Sequence, residues 1–92
     1  MELSEKYAYK IYEKMSFSAA AKALFVSQPS LSATVSRLER DLGFKIFDRS
    51  TNPLSLTPSG RIYVEYLEDI KERERNMHHR IHQLSDMFHG SL

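Results

Sequence analysis

The last third of the chain has the pattern of one long helix. Thr57 and Pro58 are typical of a helix start, because a hydroxyl can cap the first turn and proline needs no hydrogen bond there. After Gly60, neither glycine nor proline occurs again until Gly90. The predicted helix of about thirty residues is long for a globular protein. In a chain of 92 residues, it leaves room for one small domain beside it.

Apolar residues recur along this predicted helix at alternating steps of four and three, which is the pattern of a coiled-coil seam. We predict that this seam pairs the helix with that of a second copy. Its members are Tyr63, Leu67, Ile70, Met77, Ile81, Leu84 and Phe88. Glu74 interrupts the seam. It can fix the register of the pair, it can bind a basic residue of the facing helix, or the seam can be locally offset at this position. Ile62 and Tyr66 offer apolar surface with which the helix can pack back on the domain.

Three shorter helices are predicted before the long one. Residues 3–14 and 18–24 have the composition and spacing of helices, and a third helix begins at Gln28 or Pro29. Gly43 ends this helix, because glycine readily adopts the left-handed conformation found after a helix C-terminus. One apolar stripe runs along the third helix, and its members are Leu31, Val35, Leu38 and Leu42.

Residues 44–56 change to alternating apolar and polar positions on either side of a turn rich in Ser, Thr, Asn and Pro. This is the pattern of a β-hairpin. The predicted fold class is therefore mainly α, a winged helix-turn-helix of three helices and a two-stranded β wing, followed by a long linker and dimerisation helix. We place the winged domain at residues 1–57, the long helix at 58–89 and a short tail at 90–92.

Positive charge is concentrated in the middle of the chain, although the net charge is only +1. Between residues 16 and 61, six basic residues oppose three acidic ones, and no acidic residue occurs between Ser18 and Ser36. Local positive charge of this kind suits contact with phosphate groups. The third helix also begins with small polar residues, where N–H groups can bind phosphate and a glutamine can bond a base edge. These features favour nucleic acid as the partner.

Other classes of function find little support in the residues. The chain has no cysteine, no Ser/His/Asp group with plausible geometry and no glycine-rich phosphate loop, so we do not expect an enzyme. His78, His82 and Asp86 share one face of the long helix, where we expect a solvated surface and no metal site. We expect no cofactor and no membrane span. The absence of cysteine and of an export signal predicts a cytoplasmic protein.

Several short motifs make the chain similar to one known family. They are SFSAAAKAL at residues 16–24, VSQPSLS at 26–32, RLE at 37–39, LG at 42–43, FDR at 47–49 and LTPSG at 56–60. With this spacing, the chain resembles the N-terminal DNA-binding domain of LysR-type transcriptional regulators over about residues 9–66. The resemblance implies a bacterial transcription regulator that binds an interrupted palindrome in double-stranded DNA, as a homodimer joined through the linker helix.

In members of that family a domain that senses a small-molecule effector follows, and it would begin where this chain stops. The resemblance therefore implies either a DNA-binding fragment or a protein without its sensor. It also implies individual roles. Gln28 and Pro29 correspond to positions that reach base edges, Ser27 and Ser32 to positions that touch bases or backbone, and Arg49 to a wing arginine that grips phosphate. We predict base contacts by Gln28, Pro29, Ser32 and Ala33. We predict DNA backbone contacts by Ser18, Ser27, Ser30, Ser36, Arg37, Arg49 and Ser50.

Two departures from the family pattern affect this prediction. Position 33 is often basic in the family, so Ala33 removes a possible guanine contact and offers a thymine methyl contact instead. The wing is also less basic beyond Arg49 than in many members. Together with the weak net charge, these departures support an alternative, a winged-helix module for protein interaction with a coiled-coil helix. The acid-free stretch favours DNA, because a protein-binding face usually exposes a larger apolar patch.

Overall fold

The computed structural model describes residues 1–90 and the side chains of residues 1–88. The predicted tail at 90–92 lies outside the described residues except for Gly90, which ends the last helix. Within the described part, the elements in chain order are α1 (Leu3–Lys14), α2 (Phe17–Leu24), α3 (Gln28–Leu42), β1 (Phe47–Asp48), β2 (Ser55–Leu56) and α4 (Pro58–Gly90). The predicted fold class, a winged helix-turn-helix with a long C-terminal helix, is confirmed.

The first two helices begin where a side chain satisfies a free backbone N–H group. The carboxylate of Glu5 accepts the N–H of Glu2 at 2.8 Å, just before α1. The hydroxyl of Ser16 accepts the N–H of Ala19 at 3.1 Å in the first turn of α2. Because these bonds use donors that have no partner within the helix, they mark the helix starts more sharply than apolar spacing does.

A left-handed residue follows each of the first three helices. Met15 follows α1 with a φ of 48°, and Phe25 follows α2 with a φ of 58°. Gly43 ends α3 with a φ of 85°, as the sequence predicted. In this conformation the N–H of Gly43 returns to the carbonyl of Glu39 at 2.9 Å, which satisfies one of the last free carbonyls of α3.

One hydrophobic core lies between α1, α2, α3, the entry to the wing and the beginning of α4. Its largest fully buried side chains are Ile11, Leu31, Val35, Ile46, Val64 and Leu67. From α2 the core receives Ala20 and Ala21, whose small side chains allow neighbouring helices to approach closely. The predicted boundary at residue 57 therefore marks the start of α4 but not the edge of the core.

The position of α4 determines which residues of the predicted dimer seam are exposed. Tyr63 and Leu67 are only 7% and 0% exposed in the single chain, and Ile70 packs against the same core. In the single chain Tyr63 and Leu67 therefore have almost no surface left for a second copy, and the dimer contacts predicted along the seam stay a prediction. Ile62 and Tyr66, predicted to pack on the domain, are instead 70% and 53% exposed. Ile62 and Tyr66 each directly precede a buried residue. Because adjacent residues of a helix point about 100° apart, the exposed pair and the buried pair lie on different faces of α4.

Glu74 faces the N-terminal part of its own chain. Its carboxylate accepts a hydrogen bond from the amino terminus of Met1, which lowers the pKa of Glu74. Nearby, Lys71 pairs with Glu13 at 3.6 Å and lies 4.6 Å above the ring centre of Tyr9. These contacts attach α4 to α1 beyond the end of the core. Within residues 1–90, no helix combines the length and the apolarity needed to cross a membrane.

The wing is a short antiparallel hairpin, in which Phe47 lies opposite Leu56 and Asp48 opposite Ser55. Its support comes from Glu39 of α3, which is buried. The Glu39 carboxylate accepts the N–H groups of Ile46 at 2.7 Å and of Phe47 at 3.3 Å. One side chain of α3 therefore holds the backbone at the start of β1, so the wing keeps a defined position beside α3.

Thr57 joins the second wing strand to α4. Its hydroxyl accepts the N–H of Gly60 at 2.8 Å, which caps α4 as predicted, and it donates to the carbonyl of Lys45 at 2.5 Å. The N–H of Thr57 donates to the carbonyl of Ile46 at 3.0 Å. The start of α4 is therefore bonded to the strand entry on the other side of the wing.

Candidate nucleic-acid interface

The N-terminal turn of α3 is polar and exposed. Ser27 caps it, since its hydroxyl accepts the N–H of Ser30 at 3.2 Å and donates to the Ser30 hydroxyl at 2.8 Å. Pro29 occupies the first turn, where its lack of an N–H removes no helix bond. Gln28 lies beside it and is exposed. Among the described residues, its side-chain amide has no hydrogen-bond partner. This end of α3 therefore presents polar groups and the positive end of the helix dipole to the outside.

The predicted contacts on α3 divide into two rows along the helix. The exposed row consists of Ser27, Gln28, Pro29, Ser30, Ala33 and Arg37. Ser32 and Ser36 are half-buried and lie toward the wing. The structure thus brings most of the predicted contacts together on the outer surface of a single helix.

Arg49 of the wing reaches back to α3. Its Nη1 donates to the hydroxyl of Ser32 at 2.5 Å, across 17 positions of sequence. Its guanidinium carbon lies 3.9 Å from the ring centre of Phe17, at the start of α2. Three elements therefore meet at this arginine. Ser18, also exposed, follows Phe17 directly, so the predicted backbone contact at residue 18 adjoins the same surface.

A cleft between α3 and the wing contains further charge. It is lined by Ser36, Glu39, Lys45, Phe47, Asp48, Arg49 and Thr57. Lys45 is exposed and contributes a positive charge beside Ser36 and Arg49. The sequence interpretation counted Lys45 only in the charge of the central segment and assigned it no contact. Its placement depends on Thr57 and Glu39, which bond the carbonyl of Lys45 and the N–H of Ile46 in the peptide unit that follows the Lys45 Cα.

Ser50 is the predicted contact whose donors are already engaged. Both its hydroxyl, at 2.5 Å, and its N–H, at 3.0 Å, donate to the carboxylate of Asp48. These two bonds hold the pKa of Asp48 below its ordinary value, so the carboxylate stays charged. A phosphate contact by Ser50 requires one of these bonds to break, which makes Ser50 a weaker candidate than Arg49.

The basic residues of this surface have no carboxylate partner among the residues whose side chains are described. The ion pairs recorded there all join the amino terminus, α1 and α4. Arg37, Lys45 and Arg49 belong to none of them. Acidic groups elsewhere in the chain neutralise part of its charge, so the net charge of +1 understates the positive charge at this surface.

The outer face of α3 exposes no large apolar side chain. Large exposed apolar residues of the described chain lie on α1, at the turn after α2 and along α4. Phe25, at that turn, is 95% exposed. A protein-binding surface centred on α3 would be expected to carry such residues, as it would need apolar area to bury. This distribution favours a polar, charged partner for α3.

A separate apolar surface follows the distal half of α4. Met77, Ile81, Leu84, Met87 and Phe88 are between 46% and 69% exposed. All but Met87 belong to the part of the predicted seam that lies beyond the domain. Met87 was not predicted as a member of the seam. Ile62 and Tyr66 extend the exposed apolar area toward the start of the helix.

Comparison with protein families identifies this arrangement. The model for the bacterial regulatory helix-turn-helix proteins of the lysR family matches residues 6–61. The chain is 45% identical over 65 residues to YcgK of Bacillus subtilis, an uncharacterized HTH-type transcriptional regulator, covering 71% of this chain and 20% of that protein. It is 36% identical over 83 residues to AaeR of Escherichia coli, an HTH-type transcriptional activator, covering 90% of this chain and 27% of that protein.

Among solved structures, the DNA-binding domain of BenM in complex with benA site 1 DNA matches with a TM-score of 0.84 and 29% identity, over 92% of this chain and 97% of that chain. The BenM regulator of Acinetobacter baylyi is 36% identical over 67 residues. The chain spans only 20% to 27% of the length of the curated relatives YcgK and AaeR.

Proposed function

The chain belongs to the LysR family of bacterial regulatory helix-turn-helix proteins, and from this membership we propose that it binds specific DNA sequences as a homodimer and so regulates transcription. It is a LysR-type winged helix-turn-helix DNA-binding domain and not an enzyme.

One observation carries the DNA-binding proposal. The polar N-terminal turn of α3 and Arg49 of the wing form a single exposed surface, and the basic groups there lack carboxylate partners among the described residues. Phosphate groups along a DNA groove can supply those partners. The DNA-binding domain of BenM, whose fold this chain shares, has been solved in complex with DNA, and this supports DNA as the partner.

In this mode, the N-terminal turn of α3 enters the major groove. Gln28 bonds a base edge, and Pro29 and Ala33 make apolar contacts with it, with Ser32 beside them. Arg37, Arg49 and the serines at positions 18, 27, 30 and 36 bind the phosphates that flank the groove. Lys45 joins this group because it lies in the cleft with Arg49. Phosphate contacts position the domain, and the base contacts select the sequence.

Homodimer formation is assigned to the distal half of α4. Exposed apolar side chains at Met77, Ile81 and Leu84 gain stability when a second copy covers them. The domain core already contains Tyr63 and Leu67, so the proposed seam starts beyond them. Two copies related by two-fold symmetry place two α3 helices on two half-sites, which makes the target an interrupted palindrome.

The proposal extends to effector, cofactor and location. A small-molecule effector would bind a sensor domain outside this chain, and no cofactor is assigned to these residues. Because the partner is chromosomal DNA, the cytoplasmic location expected from the sequence remains part of the proposal.

Selection of bound sequences from a random DNA pool at moderate salt tests the function directly. We expect recovery of a two-fold symmetric site with half-sites about one helical turn apart. A pool that stays random, with binding lost on adding salt, would overturn sequence-specific recognition and favour the alternative, a winged-helix module for protein interaction with a coiled-coil helix. A single unrepeated half-site would support recognition by α3 but contradict the homodimer.

A further inference from the structure

Arg49 is held in place before any DNA is present. Its guanidinium carbon lies 3.9 Å from the ring centre of Phe17, and its Nη1 donates to Ser32 at 2.5 Å. A cation above an aromatic face is attracted by the negative charge of the ring face. The wing arginine is exposed, yet it is attached to both α2 and α3 at once.

Phe17 is itself fixed by the core. Its ring meets Phe47 edge-on, with the ring centres 5.7 Å apart and the planes at 75°. Phe47 is buried in β1. Ser16, which precedes Phe17 in the chain, caps α2 by accepting the N–H of Ala19. The ring face offered to Arg49 is therefore rigidly placed.

We propose that Phe17 is a positioning residue for DNA binding, which holds the Arg49 guanidinium against Ser32 so that both present ordered donors to the DNA. The inference rests on the proposed function, because it concerns how the phosphate contact of Arg49 is prepared. A free arginine side chain samples many rotamers and loses that freedom on binding. Stacking on Phe17 removes part of this freedom in the unbound protein, so less is lost when the DNA binds.

The same contact determines which groups Ser32 can recognise. The Ser32 oxygen accepts a hydrogen bond from Arg49, so its own hydrogen remains available for donation. The adjacent positive charge repels a second donor. Ser32 therefore binds acceptors, such as a phosphate oxygen or an acceptor atom of a base edge, and not base amino groups. A guanidinium has five N–H groups, so Arg49 keeps donors for a phosphate while it holds Ser32.

A double-mutant cycle tests the positioning role. The affinity for the selected DNA site is measured for the wild type, Phe17→Leu, Arg49→Ala and the double variant at fixed salt. Leucine keeps apolar contact with Phe47 but has no aromatic face, so Phe17→Leu should weaken binding about two- to fivefold. Phe17→Tyr keeps the face and should restore most of the affinity. In the Arg49→Ala background, Phe17→Leu should cause no further loss.

Each result bears on the proposal. An equal loss from Phe17→Leu with and without Arg49 would overturn it, because Phe17 would then act through the fold alone. An unchanged affinity of Phe17→Leu would overturn it as well. If thermal unfolding shows that Phe17→Leu is not folded, Phe17→Met replaces it in the same cycle, because methionine fills an irregular apolar site but has no aromatic face. Strictly additive losses from Phe17→Met and Arg49→Ala would then overturn the positioning role. Failure of the wild type to bind any DNA would overturn the proposed function itself, so the two failures are distinguishable.

Discussion

Gly60 packs directly against the carbonyl group of Ile46. A Cβ atom at residue 60 would lie 2.7 Å from the carbonyl carbon of Ile46 and closer still to its oxygen. This approach occurs where Thr57 bonds both the Gly60 N–H and the backbone of the strand entry. The start of α4 can therefore sit against the wing only with glycine at this position.

Gly60→Ala should destabilise the domain, although alanine normally favours a helix over glycine by about 1 kcal/mol. The added methyl group must displace backbone, so we expect a net loss of about 1 to 3 kcal/mol in the free energy of unfolding. Denaturant unfolding measures this change. Ser59→Ala, at the exposed neighbouring position, is the matched control and should be close to neutral. A Gly60→Ala variant as stable as the wild type would contradict the packing described.

Gln28→Ala should weaken binding to the selected site much more than binding to random DNA. A side chain that bonds a base edge discriminates by about 1 to 3 kcal/mol, whereas phosphate contacts act on every sequence alike. Fluorescence anisotropy with both DNAs gives the two affinities. Gln83→Ala, at an exposed position of α4, is the control. Equal losses on the two DNAs would exclude Gln28 as a base contact.

Arg49→Ala should reduce the salt dependence of DNA binding. Each phosphate neutralised contributes about 0.9 to the slope of log affinity against log salt concentration, so removal of one contact should reduce the slope by about one unit. Arg75→Ala removes the same charge from α4, where Arg75 pairs with Glu72, and should leave the slope unchanged. A slope that is the same in wild type and Arg49→Ala would mean that Arg49 contacts no phosphate.

Ile81→Asp combined with Leu84→Asp should make the chain monomeric. Both side chains are exposed in the single chain, so charge there costs little in folding but opposes burial against a second copy. Sedimentation analysis reports the oligomeric state. His79→Asp with Gln83→Asp places two equal charges elsewhere on α4 and should preserve the dimer. Ile70 is avoided, because it packs against the domain core. Unchanged sedimentation of the first variant would refute the proposed seam.

Alkaline pH should destabilise the domain through Tyr63. Burial raises the pKa of Tyr63 from its ordinary value of 10.0 to about 12, so folding favours the neutral phenol. The stabilisation is complete below about pH 10 and is lost as the pH rises toward 12, because the unfolded chain deprotonates first. In Tyr63→Phe this part of the loss should be absent when unfolding is measured against pH. Tyr66→Phe, on the exposed side of α4, should retain it.

The helix limits of this protein were predictable because their signals are local. Ser27 and Pro29 start α3, Gly43 ends it and Thr57 starts α4, each as the sequence indicated. Capping and left-handed conformations depend on a few adjacent residues, so residue type alone is informative. The family motifs use many of the same positions, which is why the fold class was accessible from the sequence.

Which face of α4 meets the domain was not predictable, because the spacing of apolar residues permits either. Tyr63 and Leu67 continue the same heptad pattern as Met77 and Ile81, yet the first pair is buried in the core and the second pair is exposed. The difference arises because α4 continues past the end of the core, so the domain covers Tyr63 and Leu67 but does not reach Met77 and Ile81. The spacing of apolar residues shows that one face of a helix is apolar, but it does not show whether the domain or a second copy covers that face.

The sequence by itself therefore determined the elements, their limits and the polar character of the α3 tip, because those properties depend on near neighbours in the chain. The tertiary structure alone decided the contacts between distant residues. Arg49 meets Phe17 and Ser32 across elements, and the Glu39 carboxylate bonds the backbone at Ile46. Such contacts require the backbones of several elements to be placed within a few ångströms of each other, and packing of the shared core supplies that placement.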